Sequence, residues 1–375
     1  MNNIFLVDKN IISYQDMIDF LNNDKIFNDL SEVESFIFDF LKKILNENVS
    51  DEKILNFEDL IIKIKSSSYK IILKTSGTTG KPKEIYHTID SITKNIIVDN
   101  KYSYSIWGMC YPVGKMAFYQ VFFQSIFNKS KLINLYGYSF EEIESKIIEN
   151  KISNLSATPT FYKMLISGGK IFDSVKLVTL GGEGVEEKFI DKLKNNFPNS
   201  SIKNIYASSE TASLLRSSNN VFSIPEKYKN KIKIFNNLIY IHKSLLGEIN
   251  NFDYDSEWYD TQDKVEFINE FEFKIIGRKN VEFNISGFKV NPFRVESVIN
   301  SLSYVQNSVV YSKKNSVIGN ILCCDIILNQ SIKKKQIKYD LSLELEKYEV
   351  PSIINFVNFL VINNSMKIER VWKTF

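Results

Sequence analysis

The chain has 375 residues, 44% hydrophobic and 24% charged, and its 47 basic and 44 acidic residues leave a net charge of +3. That length implies two domains, since single cores rarely grow beyond about 250–300 residues, and the near balance excludes nucleic-acid binding driven by bulk charge. No stretch approaches the roughly 18 uninterrupted apolar residues of a membrane span.

Ile4–Val7 reads as a strand, and Asp8 and Lys9 end it too soon for a secretory signal, so a cytoplasmic protein is expected. The three cysteines, Cys110, Cys323 and Cys324, agree with reduced thiols. With two histidines, His87 and His242, a histidine-rich metal site is not expected. Ser13–Leu21 carries apolar residues at helical spacing behind a capping serine. In Ser31–Leu45, Ser31 and Glu34 form a capping-box pattern ahead of the stripe Phe36, Ile37, Phe40, Leu41 and Leu45.

The apolar run Ile71–Leu73 then leads into Lys74–His87, KTSGTTGKPKEIYH, where Gly77 and Gly80 allow unusual backbone and Thr75, Ser76, Thr78 and Thr79 gather hydroxyls. Such a loop wraps an anion. It is not the common nucleotide loop, because only two residues separate its glycines and Pro82 follows Lys81. From Ile71 to about Ile276 short apolar runs alternate with helical segments, which predicts a mainly parallel sheet with flanking helices. The runs NLSATPT, VKLVTLGG and SIKNIYASSE end in small or polar residues, so their carboxyl ends are expected to line one crevice with the Gly77 loop. After Phe271–Ile276 the pattern changes, and a small α+β unit is expected over 277–375, with 1–276 as the large domain. The run Lys333–Lys335 reads as a solvated face.

Several separated stretches resemble the adenylate-forming, AMP-binding superfamily of acyl-CoA synthetases, aryl-CoA ligases, peptide-synthetase adenylation domains and luciferases. Thr75–Lys83 (TSGTTGKPK) matches its glycine-rich loop, Tyr206–Thr211 (YASSET) is similar to Tyr-Gly-x-Thr-Glu, and Trp258–Asp263 (WYDTQD) is similar to Tyr-x-Thr-Gly-Asp. Gly277–Glu296 resembles the Gly-Arg hinge with the following GxKVNPxxVE segment, and Ser365–Arg370 (SMKIER) resembles the tail bearing the family's lysine.

The resemblance implies a large α/β domain and a small mobile α+β C-terminal domain. It also implies an ATP-dependent carboxylate ligase, which forms an acyl-adenylate and pyrophosphate and passes the acyl group to a thiol, with CoA first and an acyl carrier protein second. Thr75, Ser76, Gly77, Thr78, Thr79 and Gly80 would hold phosphates, with Lys83 as counter-charge or merely solvated. Glu210 would help bind Mg²⁺, a hard cation, and Ser209 would meet the α-phosphate. Tyr206 beside Gly181 and Gly182 would take adenine, Asp263 and Arg278 the ribose. Lys367 would bridge the acid carboxylate and α-phosphate. Lys279 would serve as hinge and Gly287 as the close-packed turn beside the thiol channel.

The chain departs from the pattern in places. The loop starts at Thr75, where relatives carry a longer preceding region, so a shortened first subdomain is expected. Ala207, Gln262 and Met366 stand where the family has glycine, and Lys115 replaces a common histidine. No acidic residue lies between Lys101 and Lys129, where the family's amino-acid-activating members use an Asp to pair with the substrate ammonium, so the resemblance disfavours an α-amino acid and implies a hydrophobic, aryl or short acid, with or without a second anionic group for Lys115 to meet. Phe161 and other aromatic residues either line the acyl pocket or form core. His87 either faces that pocket or caps the next helix. The rival of another class is a noncatalytic nucleotide-binding protein.

Overall fold

In the computed structural model the described residues are 4–46, 53–76, 82–250, 255–285, 287–315, 319–363, 367 and 368. The chain opens with the hairpin β1 (Ile4–Val7) and β2 (Ile11–Ser13), then helices α1 (Tyr14–Leu21), α2 (Glu32–Asn46) and α3 (Phe57–Ser66). The cap signals act as read: Ser13 accepts from the Asp16 amide, and Ser31 and Glu34 exchange hydrogen bonds at the start of α2. A second hairpin, β3 (Ile71–Ser76) and β4 (Pro82–His87), precedes α4 (Ile89–Thr93).

Next come β5 (Ile106–Met109), α5 (Met116–Phe127), β6 (Lys131–Asn134), α6 (Phe140–Glu149), β7 (Asn154–Ala157) and α7 (Pro159–Leu165). They continue into β8 (Leu177–Gly181), α8 (Glu187–Asn196), β9 (Ser201–Ser208) and β10 (Ala212–Ser217). These strands and the first hairpin build an eight-stranded sheet in the order β10-β9-β8-β7-β5-β6-β1-β2. Its inner six strands are parallel, while β10 and β2 are antiparallel edges. Because β6 lies on one side of β5 and β7 on the other, the order reverses at β5, and ligands of open α/β sheets bind in the crevice that such a reversal opens.

The sheet is buried on both faces. Trp107, Met109 and Leu132 join the cluster made with α1–α5, whereas Ile133, Leu155, Val178 and Leu180 join the cluster made with α6–α8. Fully burying one such aliphatic or aromatic side chain contributes about 1.5–3 kcal/mol. Phe118, Phe122 and Phe123 on α5 and Phe161 on α7 are at most 1% exposed, so these aromatic residues are core, and Phe161 does not line an open pocket.

Two expectations need correction. The strands that flank the glycine-rich loop do not join the parallel sheet: β3 and β4 pair antiparallel and form a three-stranded sheet with β14 (Glu248–Ile249). The alternation of strand and helix also stops near residue 211, because β11 (Phe222–Ser223), β12 (Ile232–Phe235), β13 (Leu238–His242), β15 (Trp258–Phe267) and β16 (Glu272–Arg278) form an antiparallel sheet.

The expected boundary at Ile276 falls inside β16, which runs on through Arg278. Beyond it, β17 (Phe283–Ile285), β18 (Phe288–Val290), α9 (Pro292–Ser301), β19 (Val305–Asn315), β20 (Gly319–Leu328), α10 (Lys334–Ser342) and β21 (Ile353–Phe356) surround a core of their own that includes Val295, Ile299, Val310, Ile326, Ile337 and Leu341. All three cysteines are buried free thiols. Among the described residues no helix is long and apolar enough to cross a membrane.

Candidate active site

Three charged clusters gather around the carboxyl ends of the parallel strands. The first centres on Glu210, in the turn between β9 and β10. Its Oε1 accepts from Lys83 Nζ and from the Tyr259 hydroxyl, each at 3.3 Å, and Lys83 also lies over the Tyr259 ring. Burial opposes ionisation of Glu210, but Lys83 and hydrogen bonds from its own amide and the Ser208 hydroxyl outweigh it and hold the carboxyl below its usual range. A half-buried anion beside a lysine therefore stands ready at neutral pH.

The turn that carries Glu210 is clamped. His87 Nε2 lies 2.8 Å from the Ser209 carbonyl, which only accepts, so Nε2 carries the proton and Nδ1 accepts from the Ser91 hydroxyl at 2.8 Å. Burial lowers the His87 pKa, consistent with a neutral ring. On the other side the Gly247 amide donates to the Glu210 carbonyl at 2.8 Å, and a Cβ on Gly247 would come within 2.7 Å of the His87 ring. His87 is thus fully buried and holds the Ser209–Glu210 turn; it does not face an acyl pocket, and the cap of α4 is Thr88.

The second cluster centres on Asp263, whose Oδ2 accepts from the Tyr206 hydroxyl at 2.6 Å and whose Oδ1 accepts from Arg278 Nε at 2.7 Å. Asp263 and Arg278 are direct cross-strand partners on β15 and β16, so sheet register creates the pair. Burial, then the neighbouring carboxylate, pushes the Tyr206 phenol far above its usual range. Gln262 has φ +63°, a left-handed conformation that glycine adopts without strain, which accounts for the family's glycine there; here the Gln262 side chain donates to Asp260 instead.

The third cluster brings the C-terminal segment to the large sheet. Lys367 lies against Gly182, at φ +81°, where an added Cβ would sit 3.1 Å from both Cε and Nζ of the lysine. Next to it Glu183 accepts from the Thr160 amide and hydroxyl at 3.0 Å and from the Ile368 amide at 3.3 Å. Burial lowers the Lys367 pKa; Glu183 opposes that shift, while Arg278 and Lys115 add to it. Lys115, exposed just ahead of α5, is thus near enough to repel the Lys367 ammonium.

Other expected positions fall out differently. Thr75 is cross-strand from Lys83 on the β3–β4 hairpin; Gly77, Thr78, Thr79 and Gly80 lie outside the described residues. Gly181, at the end of β8, packs near the Ile205 backbone. Lys279 is exposed in the short turn after β16. Gly287 takes φ +92° with no atom of the described residues within 4 Å of an added Cβ, so among those residues the turn's backbone, not crowding, calls for glycine. Sequence reasoning gave no individual role to Glu183, Thr160, Tyr259 or Gly247. For Glu183 a signal existed, a carboxylate directly after the Gly181–Gly182 strand end.

A family model described as AMP-binding enzyme matches residues 20–241. The chain is 24% identical over 344 residues to bacitracin synthase 3 of Bacillus licheniformis, a match covering 81% of this chain but 5% of that protein. It is 22% identical to a putative long chain fatty acid-CoA ligase VraA of Staphylococcus haemolyticus, covering 79% of this chain and 68% of that one. The solved O-succinylbenzoate Coenzyme A synthetase of Bacillus subtilis, in complex with AMP, shares the fold at a TM-score of 0.69 and 15% identity, covering 100% of this chain and 96% of that chain.

Proposed function

This chain belongs to the AMP-binding enzyme family, and from that premise we propose that it is an ATP-dependent ligase that activates a carboxylic acid as its acyl-adenylate and transfers the acyl group to a thiol. A carboxylate oxygen attacks the α-phosphorus of ATP, the bond to pyrophosphate breaks, and a thiolate then attacks the activated carbonyl and expels AMP. Both carboxylate and phosphate are anions, so the first step needs cations placed where charge accumulates.

The observation that carries this reading is the convergence of Lys367 with Gly182 and Glu183 on the same crevice as the Glu210–Lys83 and Asp263–Arg278 pairs. Lys367 is read as the cation between acid and α-phosphate. Asp263, an acceptor held by Tyr206 and Arg278, suits the ribose hydroxyls. Ser209 and Thr75 are read as phosphate contacts, Tyr206 with Gly181 and Gly182 as the adenine wall, and Lys279 as the hinge before a mobile unit over 277–375. Glu210, ionised and half-buried, suits Mg²⁺, a hard cation that would complete its shell with phosphate oxygens. That ion would neutralise phosphate charge when bound.

CoA is the first thiol to test, since the likeness to VraA and the succinylbenzoate enzyme points there. The resemblance to peptide-synthetase adenylation domains keeps a carrier-protein thiol as the second reading. For the acid, we infer a hydrophobic, aryl or short acid with a second anionic group, because Lys115 is an exposed cation near enough to repel Lys367 and has no ion-pair partner among the described residues. Acid-dependent ATP–pyrophosphate exchange over aryl, fatty, dicarboxylic and amino acids tests the activation step, and thioester formation with CoA against carrier protein tests the acceptor. Exchange with no acid, despite ATP binding, would overturn the ligase reading in favour of a noncatalytic nucleotide-binding protein.

A further inference from the structure

We infer that Glu183 is a positioning residue that docks the lysine-bearing C-terminal segment onto the large sheet and holds Lys367 at the site of chemistry. The inference rests on the ligase reading for its catalytic consequence, but its geometry stands alone. One carboxylate joins two distant parts of the chain. On the sheet side both oxygens are used, Oε2 by the Thr160 amide and Oε1 by the Thr160 hydroxyl, each at 3.0 Å. These two bonds fix the carboxylate's direction before anything docks.

The remaining capacity of Oε1 points at the C-terminal segment, where it accepts from the Ile368 amide at 3.3 Å, a contact between residues 185 apart in sequence. The bonded amide directly follows Lys367, so the contact sets the lysine's approach. Gly182, immediately before Glu183, supplies the space: with no Cβ it lets Cε and Nζ of Lys367 settle against its backbone. The pair Gly182–Glu183 thus combines a gap for the lysine stem with an acceptor for its neighbour's amide.

The same segment reaches the C-terminal unit a second time. Glu186 Oε1 accepts from Asn300 Nδ2 at 3.0 Å, and Lys163, 3.7 Å from Glu186, donates to Asn307 at 3.1 Å. Those contacts hold α9 and β19 but do not touch the lysine. Glu186 therefore serves as the internal control, a docking carboxylate without the Lys367 contact.

Glu183 also has an electrostatic role. Among the described residues the charges acting on Lys367 are Glu183, Arg278 and Lys115, one anion against two cations, in a setting whose desolvation already disfavours the ammonium. Removing the anion leaves the lysine among like charges. Its charged form is then lost at lower pH.

The test uses the whole chain and two readouts. The first needs no turnover: acetic anhydride labels lysines in competition, and mass spectrometry reports Lys367 against exposed lysines of the same molecule. In Glu183→Ala the Lys367 labelling rate should rise about tenfold, and in Glu183→Gln by less, since the amide oxygen can still accept. The second is pyrophosphate exchange. With Glu183→Ala its turnover should fall about 10- to 100-fold while the ATP dissociation constant stays within about threefold. In Glu183→Gln the alkaline limb of exchange should move to lower pH, and in Glu186→Ala it should stay in place.

Equal Lys367 labelling in wild type, Glu183→Ala and Glu183→Gln, with ATP still bound, overturns the inference. So does an alkaline limb that moves as far in Glu186→Ala as in Glu183→Gln. If Glu183→Ala no longer binds ATP, Glu183→Gln decides by the same labelling comparison. Wild-type protein that binds ATP but exchanges with no acid overturns the ligase reading, and the labelling arm still judges the dock.

Discussion

Glu210 sits on a turn held from several directions, by His87 on the Ser209 carbonyl, by Gly247 on its own carbonyl, and by Lys83 and Tyr259 on its carboxylate. Lys367 reaches the same crevice on the C-terminal segment, its carbonyl accepting from the Asn363 amide at 2.9 Å, and meets the large sheet through Glu183 and the bare face of Gly182. The contrast separates two ways of placing a charge. A group fixed by several strands is preorganised and costs little reorganisation when a ligand arrives, whereas a group delivered by a few contacts can be withdrawn. On the proposed reaction the fixed part would grip nucleotide throughout, and the delivered part would serve only the first step.

The sharpest way to break this comparison is Lys367→Ala. Exchange should fall about 100- to 1000-fold with little change in ATP affinity by calorimetry, because a transition-state contact is lost. An equal loss of ATP affinity would mean that the lysine belongs to the fixed part. Asp263→Asn should act on the other side. It weakens two charge-assisted hydrogen bonds, so urea denaturation should report a loss of about 1–3 kcal/mol, with poorer ATP binding alongside.

Gly247→Ala probes the clamp. The new methyl has no room against the His87 ring, and we expect about 1–3 kcal/mol of destabilisation together with a raised KM for ATP and magnesium. Unchanged kinetics would show that the Glu210 turn is not held from that side. The smallest effect is expected from Lys115→Ala, an exposed cation: a shift of about two- to tenfold in preference from diacids toward neutral acids, read as the ratio of kcat/KM values, with stability unaltered. No shift would remove the second anionic group from the substrate assignment.

Much of the fold was legible because its signals are local. Ser13 and Ser31 announce their helices by capping chemistry, and the strands ending at Ala157, Gly181 and Ser208 announce themselves as short apolar runs closed by small residues. Helix α5 gave no such signal. It is buried on most sides, so MAFYQVFFQSIF is nearly continuous in hydrophobicity and shows no clear stripe. The antiparallel sheet from β11 to β16 was read through as more α/β alternation, since pairing direction is decided by what returns alongside a strand, not by the strand itself.

The site divides along the same line. By itself the sequence determined which residue types are present and in what order: the glycine-rich loop, Glu210, Asp263 with Arg278, and a late lysine, each inside a short motif whose chemistry depends on near neighbours. Only the tertiary structure decided that Phe161 fills the core, that His87 supports a turn instead of facing a ligand, and that Glu183 receives an amide from the far end of the chain. Those outcomes depend on contacts across 122 and 185 residues of sequence, and local spacing carries no information about which distant backbone will arrive to complete a hydrogen bond.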